Sequence, residues 1–139
     1  MIEQEKKELI ERLFTEKCSC VIRNGSEVHL FRERGVKDLY RLLKEKPEFL
    51  DGAFVADKVV GKAVAALMIL GGVKEVFADV VSVPAYALFR ANRVWVDYRL
   101  KVDFIFNRSQ TGRCPLEIRC DGLQTPEECR IQIEEFMKV

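Results

Sequence analysis

The sequence predicts an α/β fold of three layers, α-β-α, with helices on both faces of a mixed sheet of about five strands. Two observations predict it: a strong hairpin signal near the N-terminus, and short β-branched runs that alternate with helical patterns after it. We expect the sheet to be antiparallel at the hairpin and parallel afterwards. The 139 residues are 48% hydrophobic, enough for one core, so residues 1–139 are expected to form a single domain.

The chain is expected to open with a helix and a strand pair. Residues 3–14 place their apolar side chains on one helical face, with charges elsewhere. Asn24-Gly25 then separates the β-prone runs 18–23 and 27–31, and both turn residues tolerate the positive φ of a type I′ turn. Gly35 is expected to end this hairpin.

Helices and strands are expected to alternate after the hairpin, with proline and glycine marking their ends. The predicted helices are residues 36–46, 61–70 and 84–91, followed by a last helix that Thr125 caps. The predicted strands are residues 53–56, 73–83 and 102–106, with residues 93–96 as a strand or the approach to one.

Ligands of such sheets collect at the carboxyl ends of the parallel strands. In this sequence that edge would consist of residues 57–62, 82–84 and 107–117. The functional residues are therefore expected in three segments that are distant in the chain and adjacent in space.

Charge and hydropathy argue against several classes of partner. The chain has 23 Lys and Arg against 22 Asp and Glu, and the formal net charge of +1 gives no bulk attraction to nucleic acid or anionic membrane. The longest apolar run, residues 63–70, is well short of the roughly 20 residues of a membrane-spanning helix. Because the N-terminal residues also lack the pattern of a secretory signal, we expect a cytoplasmic protein.

The cysteines do not predict a metal site. There are five, an odd number, and we expect them to be reduced thiols. Cys18 and Cys20 form a C-x-C, and the single His29 lies in a different segment, so the usual zinc spacings are missing. A zinc site is the alternative, but we expect the protein to bind neither a metal nor a cofactor.

After the hairpin, each of two predicted strands leads into a predicted helix. The first helix begins with Gly61-Lys62-Ala63 and the second with Pro84-Ala85-Tyr86-Ala87. This order resembles the cytidine-deaminase-like superfamily, whose corresponding helices open with a His-Ala-Glu type motif and with Pro-Cys-x-x-Cys. Here the zinc-binding residue and the proton-shuttling Glu are absent from the first opening, and alanine replaces both cysteines in the second. The resemblance implies a deaminase-like fold without the catalytic zinc.

A closer resemblance is carried by residues 57–63, Asp-Lys-Val-Val-Gly-Lys-Ala, and by Asn107-Arg108 followed by Cys114-Pro115-Leu116-Glu117. These segments are similar to a family of uncharacterised small prokaryotic proteins with a cytidine-deaminase-like fold and no zinc motifs. The matched blocks span roughly residues 18–117. That family has no settled activity, so the resemblance implies a fold and leaves the function open.

Three charged residues at the mouth of the apolar helix 61–70 are candidates for binding an anion. A helix N-terminus presents unpaired amide donors, and Asp57, Lys58 and Lys62 lie close to it in the sequence. Lys62 beside Gly61 would help to hold a phosphate or a carboxylate, although the Walker sequence is not matched. The alternative is that Asp57 caps the helix and the lysines are solvated.

Three polar residues are expected to end neighbouring strands on the same edge. Arg108 would bind a carboxylate or phosphate through two parallel hydrogen bonds, and Asn107 would bind a base or an amide. Ser82 would donate a hydrogen bond there. The alternative for Asn107-Arg108 is an ordinary turn.

Cys114 is the candidate nucleophile. A nearby Lys62 or Arg108 would lower the pKa of its thiol, and Glu117 would be available for proton transfer. No histidine accompanies it, because His29 lies in the hairpin. The alternative is a structural cysteine at the start of an edge strand.

Three functions remain open at this point. The first is a zinc-less deaminase-like domain that binds a small anionic ligand, such as a nucleotide, at the carboxyl edge of the sheet. The second is a metal-free enzyme with Cys114 as nucleophile, assisted by Lys62 and Glu117. The third is an oligomeric scaffold without catalysis, in which the apolar helix serves an interface between copies of the chain.

Overall fold

The computed structural model describes residues 1–33, 36–107 and 109–138. Five strands form one sheet: β1 (Cys20–Asn24), β2 (Glu27–Phe31), β3 (Phe54–Val60), β4 (Glu75–Ser82) and β5 (Trp95–Val102). Their order in space is β2-β1-β3-β4-β5, with β1 antiparallel to β2 and β3, and β3, β4 and β5 mutually parallel. The mixed sheet, antiparallel at the hairpin and parallel afterwards, is as predicted.

Helices flank both faces of this sheet. The described helices are α1 (Glu3–Thr15), α2 (Lys37–Glu45), α3 (Pro47–Leu50), α4 (Lys62–Leu70), α5 (Val83–Ala91), α6 (Pro115–Cys120) and α7 (Pro126–Met137). Neighbouring strand residues face opposite sides of a sheet, and Val55 packs in the large core with α4 whereas Phe54 and Ala56 pack in a smaller one with α1. The two cores therefore lie on opposite faces.

The hairpin and the cap of the last helix form as predicted, but the turn of the hairpin lies one residue later than expected. Asn24 is the last residue of β1 and pairs with Glu27, so Gly25 and Ser26 form the turn. Gly25 has a φ of 62°, which glycine adopts without steric cost, whereas Asn24 and Ser26 do not have positive φ, so the predicted type I′ turn at Asn24-Gly25 is wrong. Thr125 accepts a hydrogen bond from the Glu128 amide while the Glu128 carboxylate accepts from the Thr125 amide, a capping box for α7.

Helix α4 is buried along most of its length, including every residue from Lys62 to Met68. It packs against α2, α5, α6 and α7. The hypothesis that this apolar helix serves an interface between copies of the chain is therefore wrong, because its surface is already covered by its own domain.

Two predicted strands need correction. The last strand of the sheet is β5 itself. Of the predicted residues 93–96, only Trp95 and Val96 belong to it, and of the predicted strand 102–106, only Val102 does. Val102 is opposite Ser82, the last residue of β4, and beyond it the chain has no parallel partner to extend the ladder. Among the described residues of that segment, an isolated bridge joins Phe106 and Arg113.

The two short helices α3 and α6 were absent from the sequence prediction. Each begins at a proline, Pro47 and Pro115, whose fixed φ suits the first position of a helix. Cys114 consequently precedes a helix, and the expectation that it starts an edge strand is wrong.

Candidate functional site

The N-terminus of α4 is completed by a side chain from far along the sequence. Strand β3 ends at Val60, and Gly61 leads directly into α4 without a side-chain cap of its own. The Lys62 amide donates a hydrogen bond of 2.9 Å to Oε2 of Glu117, which lies on α6. A helix N-terminus favours a negative charge, so Glu117 occupies the position that the sequence suggested for a bound anion.

Gly61 permits this close approach. A Cβ at position 61 would lie 3.0 Å from both Cδ and Oε1 of Glu117, closer than ordinary contacts allow. The glycine therefore serves the packing of α6 against the start of α4, and its position directly before a helix was the sequence signal for it.

Glu117 is only 3% exposed, and its second oxygen, Oε1, is buried without a hydrogen-bond partner among the described residues. It borders a cavity of about 480 Å³, which we call the Glu117 cavity. An unsatisfied buried oxygen is costly, which makes Glu117 the most distinctive polar residue bordering the cavity. The other lining residues are Val36, Lys37, Val59, Gly61, Ala63, Val64, Ile105, Phe106, Asn107, Cys114, Pro115, Leu116, Phe136 and Met137.

Cys114 and Asn107 reach the same cavity. Cys114 is half-buried, whereas the other four cysteines are buried. The Asn107 side chain is bound within its own loop, where Oδ1 accepts from the Thr111 amide at 3.0 Å and Nδ2 donates to the Thr111 hydroxyl at 3.1 Å. Arg108, the predicted anion clamp, lies outside the described residues.

The Lys62 ammonium faces away from this cavity. It is buried, and Nζ donates to the backbone carbonyl of Leu123 in the loop between α6 and α7. The thiols of Cys120 and Cys129 lie nearby and interact with each other. The neighbouring Cys129 thiol and burial raise the pKa of the Cys120 thiol. Lys62 thus ties α4 to the α6–α7 loop.

Ser82 has a local structural role. It is fully buried, and its hydroxyl accepts a hydrogen bond of 3.2 Å from the Ala85 amide at the start of α5. It is therefore the N-cap of α5 and does not line the Glu117 cavity.

Asp57 and Lys58 line a different cavity, of about 350 Å³, between β1, β3 and α2. We call it the Asp57 cavity; Val59 borders both cavities. Asp57 Oδ1 accepts from the Val59 amide at 3.3 Å, so Asp57 does not cap α4. Burial raises the pKa of Asp57 from 3.8 to about 7. Burial, together with the charge of Asp57, raises the pKa of the Cys20 thiol.

The predicted site therefore divides into three places. Glu117, Cys114 and Asn107 meet in the Glu117 cavity, and Asp57 and Lys58 meet in the Asp57 cavity. Lys62 and Ser82 support the scaffold around them. Sequence reasoning missed Lys37, Phe136 and Met137, which come from the start of α2 and the end of α7.

Within residues 1–33, 36–107 and 109–138, no three His, Cys, Asp or Glu side chains are placed to hold a metal ion. None of the helices in those ranges is long and apolar enough to cross a membrane.

The architecture is thus a mixed α/β domain with a ligand-sized cavity at the start of its central helix. Residues 8–137 match the family model described as a domain of unknown function (DUF1893), and the chain belongs to that family. It is similar to the crystal structure of a DUF1893 family protein, TM1506 from Thermotoga maritima, solved at 2.70 Å. The TM-score is 0.87 at 24% identity, over 97% of this chain and 92% of that one, and this likeness shows the fold. No curated protein matches the sequence.

Proposed function

We propose that this protein is a small-molecule-binding domain whose ligand occupies the Glu117 cavity. The observation that carries the proposal is that Glu117, whose buried Oε1 has no hydrogen-bond partner among the described residues, borders an apolar space of about 480 Å³. Ligand sites are typically apolar clefts of roughly 300–1,000 Å³ with a few fixed polar groups. A ligand that donates a hydrogen bond to Oε1 would remove the cost of leaving it unpaired.

The lining of the cavity suggests the chemistry of the ligand. Its walls are apolar and include the rings of Phe106 and Phe136, which suit a planar heterocycle. Oε1 of Glu117 would accept from an exocyclic amine. Lys37, at the start of α2, is the basic residue on the rim, so a phosphate is best placed there, beside the first amides of that helix. A nucleotide bound base-inward meets both requirements.

This proposal keeps the small anionic ligand that the sequence suggests, but places its anionic group at the start of α2 and not at the start of α4. The amide of Lys62 is already bonded to Glu117 and its ammonium to Leu123, so neither favours a phosphate at α4. We further propose that the fold is a zinc-less relative of the cytidine deaminases. The order of a hairpin, β3, α4, β4 and α5 supports that relationship.

Calorimetric titration of the protein with cytidine and uridine 5′-monophosphates tests the function. The two bases differ at the exocyclic position, where cytosine offers an amine and uracil an oxygen. We expect cytidine monophosphate to bind more tightly, and Glu117→Gln to weaken its binding roughly 10- to 150-fold, the equivalent of a hydrogen bond to a charged group of about 1.5–3 kcal/mol. Adenosine monophosphate, which also carries an exocyclic amine, tests whether a purine fits.

The glutamine variant reverses the polarity of the site. Its amide oxygen must still accept from the Lys62 amide, which puts the NH₂ group, a donor, in the place of the acceptor Oε1. Glu11→Gln, an exposed change on α1, is the matched control and should leave binding unchanged. If none of the three nucleotides binds, or if Glu117→Gln binds them as the wild type does, the proposal fails.

A second candidate function is a metal-free enzyme with Cys114 as nucleophile. The observation that favours it is that Cys114 and Glu117 line one cavity, with Cys114 half-buried and the other four thiols buried. A nucleophile activated for catalysis would react with iodoacetamide at neutral pH faster than free cysteine, and Cys114→Ser would abolish that labelling. A rate no higher than that of free cysteine argues for the binding domain instead.

A further inference from the structure

Strand β5 is an open edge of the sheet. It is the last strand in the order β2-β1-β3-β4-β5, and its residues 97–101 are all exposed. No backbone group in the described part of the chain, other than those of β4, forms a hydrogen bond with residues 95–102. The outer row of N–H and C=O groups is therefore free to pair with another strand.

This edge also exposes large side chains. Trp95 is 62% exposed, Leu100 is 45% exposed and Tyr98 is 38% exposed. Edge strands are usually short or protected, and an eight-residue edge with an exposed tryptophan is a template for strand addition.

The sequence of β5 is complementary to itself. In an antiparallel pair, residues that lie opposite each other have their side chains on the same face of the sheet. When two copies of one strand pair about a two-fold axis, the pairing must therefore centre on one residue, which lies opposite its own copy. An axis through Asp97 or Arg99 places two like charges directly opposite each other. An axis through Tyr98 places Asp97 opposite the partner's Arg99, and does so twice.

The Tyr98-centred register also matches the remaining pairs. Val96 is opposite the partner's Leu100, and Trp95 is opposite the partner's Lys101, an apolar pair and a cation–π pair. Arg99 already contacts Asp79 of its own chain, yet its side chain is 62% exposed and retains free donors for a second carboxylate.

We propose that β5 is the homodimer interface of this protein: two copies pair antiparallel about Tyr98 and join their sheets into one of ten strands. The interface lies on a different element from the Glu117 cavity, so it is independent of the proposed function.

Sedimentation velocity of the full chain across a concentration series tests the proposal. We expect the wild type to approach twice the chain mass of 16.0 kDa as its concentration rises. The Asp97→Arg variant should remain monomeric, because the new side chain at position 97 would lie opposite the partner's Arg99, a pair of like charges. Arg99→Asp should also remain monomeric, when made together with Asp79→Asn to avoid a new like-charge contact with β4.

An equimolar mixture of the two variants restores every opposite-charge pair, so we expect it to form the heterodimer. Asp79→Asn alone and Glu11→Arg, the same change of charge on α1, are matched controls that should dimerise. Circular dichroism confirms that each chain is folded, and Asp97→Lys and Arg99→Glu replace any variant that is not. A wild type that stays monomeric, an assembly that survives both charge reversals, or a folded mixture that stays monomeric would each overturn the proposal.

Discussion

Asp57 is a buried carboxyl group, and its replacement by asparagine should change how stability depends on pH. Burial raises its pKa in the folded protein from 3.8 to about 7. The folded state therefore holds this proton up to near pH 7, whereas the unfolded state releases it near pH 4. Between these values the folded state binds more protons than the unfolded state, so the free energy of unfolding decreases as the pH rises. The stability that protonated Asp57 contributes is fully present below about pH 4 and is lost by about pH 7.

The size of the effect follows from the two values. The difference between about 7 and 3.8, at about 1.4 kcal/mol for each factor of ten in proton affinity, is on the order of 4 kcal/mol. Asparagine has nearly the same shape and is neutral at every pH. Its side-chain oxygen still accepts from the Val59 amide, so Asp57→Asn should match the wild type at pH 4 and exceed it by up to that amount at pH 8.

Urea unfolding at a series of pH values from 4 to 9 measures this difference. The other titrating groups are common to both proteins and cancel when the two free energies of unfolding are subtracted. Asp103→Asn, a substitution at an exposed position, is the control and should give a flat difference. Parallel curves for Asp57→Asn and the wild type would refute the argument that burial controls this carboxyl group.

Three further predictions concern packing and capping, each measured as the change in the free energy of unfolding. Gly61→Ala should destabilise by about 1–3 kcal/mol, because its Cβ would displace the Glu117 carboxylate from the Lys62 amide. Leu67→Ala in the buried α4 should cost about 2–5 kcal/mol, while Ile118→Ala, at a side chain 55% exposed, should cost far less. Thr125→Ala should cost about 1 kcal/mol by breaking the capping box of α7; a value near zero would mean that the cap is dispensable.

Much of the fold could be predicted because its signals are local. The β1–β2 hairpin and the Thr125 cap each depend on a few adjacent residues, and both are confirmed, although the turn falls at Gly25-Ser26 and not at Asn24-Gly25. The position of β5 could not be found this way. Its charges alternate with apolar residues because it is an exposed edge, and its end is determined by Ser82 of β4, which is distant in the sequence.

The site was harder to predict for the same reason. Glu117 reaches the start of α4 across 55 positions of sequence, and no local pattern indicates that contact. Asp57 is close to Lys62 in the chain but belongs to a strand, and its side chain borders another cavity. The sequence prediction placed Asp57, Lys58 and Lys62 in one site because they are close in the chain. In the structure, the Glu117 cavity is instead bordered by the starts of α2 and α6 and by the end of α7.

The remote cap of α4 bears on how the chain matures on the ribosome. Helix α4 and its strands are synthesised well before Glu117 and α7, which close the start of the helix and cover one of its sides. A nascent chain that ends before α6 therefore carries an apolar helix with an open N-terminus. We expect such arrested chains to be retained by chaperones and to compact only after the last two helices emerge, so that folding is largely post-translational.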